Sequence, residues 1–364
     1  MIQNDSLFSS PTTTFRGDTS TMTSIGRRRP AWNALCGALA GLTLIAAVGH
    51  AQEVPTEAQQ EEYVALATIV GAALQGQIVP TGEPFGWAND FLKSSDQTTF
   101  VPFTLSIERT KVSTPRAALY IFVSERGATA TAGSGGATQP PMPVFEDAYH
   151  VDLGAPNADG FYQVRRGFWA PAGDYDVYIA LSESAVAEGD EAQNPMMLKK
   201  LLSVPDMWSD QLTTSTVMLA ERVEPLSEPL PPEQQLANPY TLGTLRVVPK
   251  RTVDYLTSDD LSIVFLVYNV GLTVTGMPDV NIEYSFSTRG VAGDEFFNVT
   301  SPQTFNAETL PTGFDFAGGH QLIGGQAVPL SEFPVADYRL EVTVTDNTNG
   351  ASLIHNVDFT VSAS

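Results

Sequence analysis

The histidines are the first residues to consider for chemistry. His150, His320 and His355 each stand alone, so no His-Glu-x-x-His metal motif is present. The sequence also has no glycine-rich phosphate loop after a strand and no Gly-x-Ser-x-Gly nucleophile turn. We therefore predict no catalytic, cofactor-binding or metal-binding residue, and we expect no cofactor. A Ser-His-Asp triad assembled from distant segments would instead make the protein a hydrolase.

Acidic side chains could bind calcium at two places. Glu188, Asp190 and Glu191 lie in one loop, and Asp346 lies at the turn before the last strand. Neither place has the regularly spaced oxygen ligands of a calcium-binding loop. We therefore interpret these acids as solvated side chains.

Tryptophans offer a different kind of site, because an exposed ring presents a broad apolar face with a polar tip. Trp87, Trp169 and Trp208 are the candidates. If they are exposed, the protein is a carbohydrate-binding accessory protein with a glycan as its partner.

The overall charge argues against one class of partner. The chain of 364 residues carries a formal net charge of −22, from 41 acids and 19 bases. A basic run occurs only within the first thirty residues, so we exclude nucleic-acid binding. A hydrophobic content of 43% is sufficient for real cores.

The N-terminal segment has the order of a secretory signal. Arg27–Arg29 precede the apolar run Ala31–Val48, and small residues lead to a cleavage site after Ala51. We predict a cleaved signal peptide over 1–51, with Met22 as a second candidate start, and no membrane span after cleavage. A membrane anchor is the alternative, since eighteen residues can just span a bilayer.

Cysteine usage limits what can hold the exported protein together. Cys36 is the single cysteine, and it lies inside the signal segment. The mature chain is therefore expected to lack disulfides and thiolate metal sites. Its cores must hold by packing.

A repeated stretch indicates the scaffold. Residues 168–182 recur 163 positions later, and each copy is a turn followed by a strand with period-two apolar residues. In these copies Pro171, Asp174 and Tyr175 align with Pro334, Asp337 and Tyr338. The sequence therefore predicts an all-β protein of two tandem immunoglobulin-like β-sandwiches with a short N-terminal helix.

The predicted elements follow the apolar patterns. A helix is expected over 56–75, beginning at Thr56. Strands are expected over 99–107, 117–124, 149–153, 161–166, 175–182, 198–204, 214–220, 242–249, 261–269, 280–286, 314–316, 338–345 and 353–361. The domains are a signal peptide (1–51), a helix and aromatic connector (52–94), the first sandwich (95–223), a proline-rich linker (224–239) and the second sandwich (240–364).

The two copies differ on their outer faces. The second copy carries polar residues at the outward positions, including Glu283 and Glu341. The first copy carries Tyr120, Phe122 and Tyr178 there. An apolar outer face must be covered or used. We predict that it is either covered by the helix or used as an interaction surface with the helix as a removable cover.

Several stretches resemble known domains. Residues 174–182 and 337–345 resemble late strands of bacterial immunoglobulin-like and fibronectin-like domains. Further stretches are similar to a group of uncharacterised exported bacterial proteins: Pro102–Ser106, Val204–Trp208, Leu261–Asn269 and Phe305–Pro311. The resemblance implies export and a sandwich fold, and it supplies no catalytic residues.

The leading hypothesis follows from these observations. We expect an exported protein, periplasmic or extracellular, that binds or scaffolds other molecules of the cell envelope without catalysis. Its partner would be an envelope protein or a glycan. The carbohydrate-binding protein and the hydrolase remain alternatives.

Overall fold

Alternating apolar and polar residues form strands along most of the chain. The computed structural model describes residues 56–77, 84–129, 131–132, 138–184, 193–231 and 234–364. The predicted signal segment and the acidic loop with Glu188, Asp190 and Glu191 lie outside these ranges. Apart from a single α-helix, the described part of the chain forms strands, turns and short 3-10 helices, so this part is mostly β, as expected for an all-β protein.

The helix is α1 (Glu57–Leu74). The strands are β1 (Gly86–Asn89), β2 (Leu92–Lys93), β3 (Thr98–Glu108), β4 (Arg116–Glu125), β5 (Thr131–Ala132), β6 (Thr138–Gln139), β7 (Phe145–Asp152), β8 (Phe161–Pro171), β9 (Gly173–Glu183), β10 (Gln193–Val204), β11 (Thr213–Thr214), β12 (Met218–Pro225), β13 (Thr241–Leu242), β14 (Leu245–Pro249), β15 (Asp254–Leu256), β16 (Asp260–Tyr268), β17 (Val280–Gly290), β18 (Gly293–Val299), β19 (Gln303–Phe305), β20 (Leu322–Pro329), β21 (Ala336–Asp346) and β22 (Ala351–Ser362).

The helix begins where the sequence indicates. Thr56 accepts a hydrogen bond from the backbone of Gln59, and the Gln59 side chain accepts one from the backbone of Thr56. This capping box satisfies two backbone donors that would otherwise lack partners. In the described ranges, no helix combines the length and apolar character that a membrane crossing needs.

The strands form four larger sheets and one small hairpin. Sheet I has the order β10-β9-β4-β7. Sheet II contains β1, β2, β3 and β8, and sheet III contains β11, β12, β13, β14, β16 and β20. Sheet IV contains β15, β17, β18, β19, β21 and β22. Strands β5 and β6 pair with each other.

Apolar clusters fix how these layers stack. One core lies between sheets I and II, and a separate core lies between sheets III and IV. A third cluster joins the outer faces of sheets II and III through residues such as Phe100, Met218 and Tyr240. A fourth lies between α1 and sheet I. The layer order is therefore α1, I, II, III, IV, and the two sheet pairs share an apolar contact.

The repeat seen in the sequence is also present in the strand pairing. In the first sheet pair, Leu119 pairs with Leu181 and Ile121 with Ile179. The residues 163 positions later make the same pairs, Ile282 with Val344 and Tyr284 with Val342. The strands β4 and β9 therefore have the same register as β17 and β21.

The predicted domain boundary needs correction. Strands β11 and β12 were expected in the first sandwich, but they pair with β16, and β12 also pairs with β14. They belong to sheet III because Met218 and Ala220 lie in the apolar contact between sheets II and III. Residues 224–239 therefore connect strands of one sheet and do not separate the two halves.

Another expected strand is absent. Residues 314–316 form a turn and not a strand, because the Asp315 side chain accepts from the backbone of Gly318 and the Asp315 backbone donates to His320. The glycine-rich stretch that follows contains β20. Gly324 lies against the Phe265 ring, where a Cβ atom would come within 2.6 Å. A glycine in the strand permits this close approach.

Candidate functional site

The outer face of sheet I differs from that of sheet IV. Along β4 and β9 it presents Ala118, Tyr120, Phe122, Tyr178 and Ala180, which we call the helix-covered face. All five residues are buried, and the three aromatic side chains are at most 7% exposed. The corresponding positions on sheet IV carry polar residues. This face is therefore the surface on which the two copies diverge.

The helix α1 covers this face with one apolar stripe. Leu66 and Val70 are both 1% exposed and belong to the same cluster as Tyr120 and Phe122. Full burial of such a side chain contributes about 1.5–3 kcal/mol. The predicted interaction residues Tyr120, Phe122 and Tyr178 thus lie beneath α1. A face covered by the helix was one of the two alternatives that the sequence left open.

A polar cluster holds the N-terminal half of α1 on the sheet. Glu62 Oε2 lies 2.5 Å from His150 Nε2, and the Tyr63 hydroxyl lies 2.7 Å from His150 Nδ1. Ser184 donates to the same Glu62 carboxylate, at 3.1 Å to Oε2. Glu62 is only 6% exposed. A carboxylate buried this deeply needs such partners, so the cluster fixes the position of the helix.

The Tyr63–His150–Glu62 cluster has the same order of groups as a catalytic triad. A hydroxyl, an imidazole and a carboxylate stand in a row, as they do in hydrolytic triads. The hydroxyl is the phenol of Tyr63, and burial, together with the charges of Asp147 and Glu62, raises its pKa to about 12. The serine contacts the carboxylate and not the imidazole. The arrangement therefore favours a hydrogen-bonded anchor over an activated nucleophile.

Charged groups border the helix-covered face. The Tyr120 hydroxyl donates to Glu146 Oε1 at 2.6 Å. Lys199 Nζ lies 5.0 Å from the Tyr178 ring centre and 3.3 Å from Asp176. An apolar centre with a charged border is the usual composition of a protein interface.

The other two histidines have partners of their own. His355 Nε2 is 2.7 Å from the Thr214 hydroxyl, and burial lowers the pKa of His355. His320 accepts a hydrogen bond from the backbone of Asp315 within a turn. The two are not brought together with His150.

Asp346 was a candidate for calcium binding, and the structure gives it other partners. It is fully buried, so its interpretation as a solvated side chain is wrong. Its oxygens accept from the backbones of Gly271 and Thr348 and from the side chains of Thr348 and Asn349. In the described ranges, no three His, Cys, Asp or Glu side chains are grouped to hold a metal ion. Asp346 stabilises the turn between β21 and β22.

The tryptophans do not form a common platform. Trp87 stacks on Phe103 at 4.5 Å between ring centres, and Trp169 packs on Phe100 at 5.3 Å. Trp208 is 39% exposed, but the Lys93 ammonium lies 4.3 Å over its ring. The three rings thus have separate packing partners.

Sequence reasoning missed the anchor of α1. Glu62 lies four residues before Leu66 and eight before Val70, so it is on the same helical stripe. An acid on an apolar stripe is a signal for a buried partner. The partner, His150, lies 88 positions later and could not be assigned from spacing.

Comparisons with known proteins give no family. No protein-family model matches the chain, and no characterised protein sequence matches it. Among solved structures, a purple acid phosphatase from yellow lupin (Lupinus luteus) seeds matches 75% of the chain at 12% identity, with a TM-score of 0.20. Trypsin-activated alpha-2-macroglobulin from Escherichia coli matches 78% at 12% identity, with a TM-score of 0.21. The chain spans 39% and 17% of their lengths.

Proposed function

We propose that this chain is an exported, non-enzymatic binding or scaffolding protein of the cell envelope. In this proposal its two sheet pairs are tandem immunoglobulin-like sandwiches, and the signal segment 1–51 directs it to the periplasm or the cell surface. The helix-covered face is its binding surface. The observation that carries the proposal is the cover itself, because a separate amphipathic helix occupies an aromatic face that the other copy lacks.

The chemistry of the cover defines the partner. The face accepts a helix with aliphatic residues four apart, as Leu66 and Val70 are, and with a carboxylate that reaches His150. Helices of this kind bind grooves through residues at such spacing. The partner is therefore an amphipathic helix of an envelope protein that replaces α1 on sheet I.

A substitution that releases α1 from sheet I would expose the helix-covered face, and binding of a helix to that face could then be measured directly. Leu66→Asp places a charge in the apolar contact and should destabilise the docked helix by about 3 kcal/mol or more. Ala65→Asp is the matched control, because Ala65 is exposed on the same helix. A labelled peptide of residues 56–77 serves as the probe, and fluorescence anisotropy measures its binding to each full-length variant.

The proposal expects saturable peptide binding by Leu66→Asp and at least tenfold weaker binding by the wild type and by Ala65→Asp, whose own helix occupies the face. Circular dichroism checks that the sheets remain folded, and Val70→Asp provides a second variant. If both folded variants fail to bind the peptide, the face does not accept a helix from another molecule and the proposal is wrong.

A further inference from the structure

A cavity of about 420 Å³ opens on sheet III, where strands β12, β14, β16 and β20 form its wall. Cavities that bind small molecules usually have volumes of about 300–1,000 Å³ and mostly apolar walls. Here the wall carries six side chains, five of them aliphatic: Val223, Leu245, Ser262, Val264, Ile323 and Ala327. The cavity therefore has the size and the composition of a ligand site.

The pairing of the strands shows which way the cavity faces. Ser262 pairs with Ala327, and Val264 pairs with Gly325. Paired residues of antiparallel strands, and residues two apart on one strand, lie on the same face of a sheet. Val264 belongs to the apolar cluster between sheets II and III, so all four residues face sheet II. The cavity thus continues the apolar contact between the two sheet pairs.

A glycine leaves the floor of the cavity open. Gly325 lies on β20 between Ile323 and Ala327, and a Cβ atom there would come within 2.5 Å of the Ile263 carbonyl oxygen. No side chain fits at this position unless the backbone of the neighbouring strand moves. A glycine inside a strand often marks a place where a ligand approaches the backbone closely.

Ser262 provides the cavity with a hydrogen-bonding group. Its hydroxyl has no hydrogen-bond partner in the described part of the chain. The other polar residue of the wall, Gln326, pairs with Ile263 on the opposite face, and its amide oxygen accepts from Thr300 at 2.8 Å. Gln326 therefore contributes backbone to the cavity, and Ser262 contributes the free side-chain group.

The wall also limits the chemistry of the ligand. The described residues that line the cavity include no aromatic ring and no charged side chain. The chain as a whole carries a formal net charge of −22, which disfavours an anionic ligand at a site without a base. The composition of the wall therefore matches an uncharged molecule that is aliphatic along most of its length and has one polar end.

We propose that this cavity binds a single aliphatic chain with an uncharged hydroxyl head group. The chain packs against Val223, Leu245 and Ile323, and the head group forms a hydrogen bond with Ser262. Removal of the chain from water drives binding, so each buried methylene should strengthen it about fourfold. The site lies on sheet III, and the inference does not depend on the helix-covered face of sheet I.

Isothermal titration calorimetry of the full chain with octan-1-ol and hexan-1-ol tests the proposal. We expect one saturable site that binds hexan-1-ol about tenfold more weakly, because two methylenes fewer are buried. Ser262→Ala should weaken the binding of octan-1-ol about two- to tenfold, since it removes one neutral hydrogen bond.

A substitution that fills the cavity locates the site. Ala327→Phe places a ring in the cavity at an exposed position and should abolish binding. Ala292→Phe is the matched control, because Ala292 is exposed in the turn between β17 and β18 and does not line the cavity. Circular dichroism checks that each variant is folded, and Val223→Phe is a second variant that fills the same cavity.

Three results would overturn the proposal. One is the absence of saturable binding of octan-1-ol by the wild type at concentrations up to its solubility limit. Another is unchanged binding by the folded Ala327→Phe or Val223→Phe variant, which would place the alcohol elsewhere on the protein. The third is equal affinity for the two alcohols, which would show that the aliphatic chain is not buried.

Discussion

Tyr175 and Tyr338 make the same hydrogen bond in the two halves of the protein. Each donates its hydroxyl to the carbonyl of a proline four residues earlier, Tyr175 to Pro171 at 2.9 Å and Tyr338 to Pro334 at 2.7 Å. Both rings are buried. The hydroxyl thus fixes the turn at the start of β9 and of β21, and the ring anchors that turn in the core.

Removing either hydroxyl should lower stability by a similar amount. Tyr175→Phe and Tyr338→Phe keep the ring but leave a proline carbonyl without this donor, at a cost of about 1 kcal/mol. Urea unfolding measured by tryptophan fluorescence gives the free energy of unfolding of each variant.

Two other tyrosines provide matched controls. The hydroxyls of Tyr149 and Tyr255 are buried, and neither has a hydrogen-bond partner among the residues that the structure describes. Tyr149→Phe and Tyr255→Phe should therefore leave the free energy of unfolding unchanged or raise it. Equal losses in all four variants would show that the proline contacts contribute nothing specific.

The strands with a strict apolar alternation could be predicted from the sequence. The segment 175–182 was expected as a strand and lies within β9, because every second side chain enters one core. The contrast between Tyr120 and Glu283 also identified the unusual face, since position in the repeat shows which side of the sheet a residue occupies.

Contacts between distant segments could not be predicted. Strand β20 contains Gly324 and Gly325, and glycines weaken the sequence pattern that predicts a strand. Glycine is needed at both positions because the Phe265 ring and the β16 backbone pack closely against them. Strand β12 belongs to sheet III because its apolar side chains pack in the contact between sheets II and III, which the chain reaches only after it leaves sheet I. Neither fact is encoded in local periodicity.

The anchor of α1 gives a prediction about stability. Glu62→Ala removes the buried partner of His150 and Ser184 and should lower the free energy of unfolding by about 3 kcal/mol. It should also increase proteolytic cleavage of α1, because the helix opens more often. Urea unfolding and limited proteolysis measure the two effects.

Glu61→Ala is the control for Glu62→Ala. Glu61 is the exposed neighbour on the same helix, so its replacement should change stability by less than about 0.5 kcal/mol. Equal effects of the two substitutions would show that the cluster does not hold α1 on the sheet.

Asp346 should be essential for the turn that joins β21 and β22. Asp346→Ala leaves the donors of Gly271, Thr348 and Asn349 without a partner inside the protein, which should cost about 3 kcal/mol or more. Thermal unfolding followed by circular dichroism measures the loss. Asp337→Ala is the control, since Asp337 is exposed and accepts a hydrogen bond from the Thr360 side chain.

The same measurement tests calcium binding at Asp346. Because its oxygens already accept hydrogen bonds from protein donors, calcium or a chelator should leave the unfolding temperature unchanged. A calcium-dependent increase in the wild type that is lost in Asp346→Ala would show that the ion replaces these donors.

His355 should make stability depend on pH. Burial lowers the pKa of His355 in the folded state below its ordinary value of 6.5, so the unfolded chain binds a proton more readily. The contribution of the neutral ring is therefore fully present above pH 6.5 and is lost as the pH falls through the folded-state pKa. His355→Gln retains a polar group near Thr214 but cannot become charged. Urea unfolding at pH 7.5 and at pH 5 should show a larger loss of stability for the wild type than for His355→Gln, and equal losses would contradict the assignment.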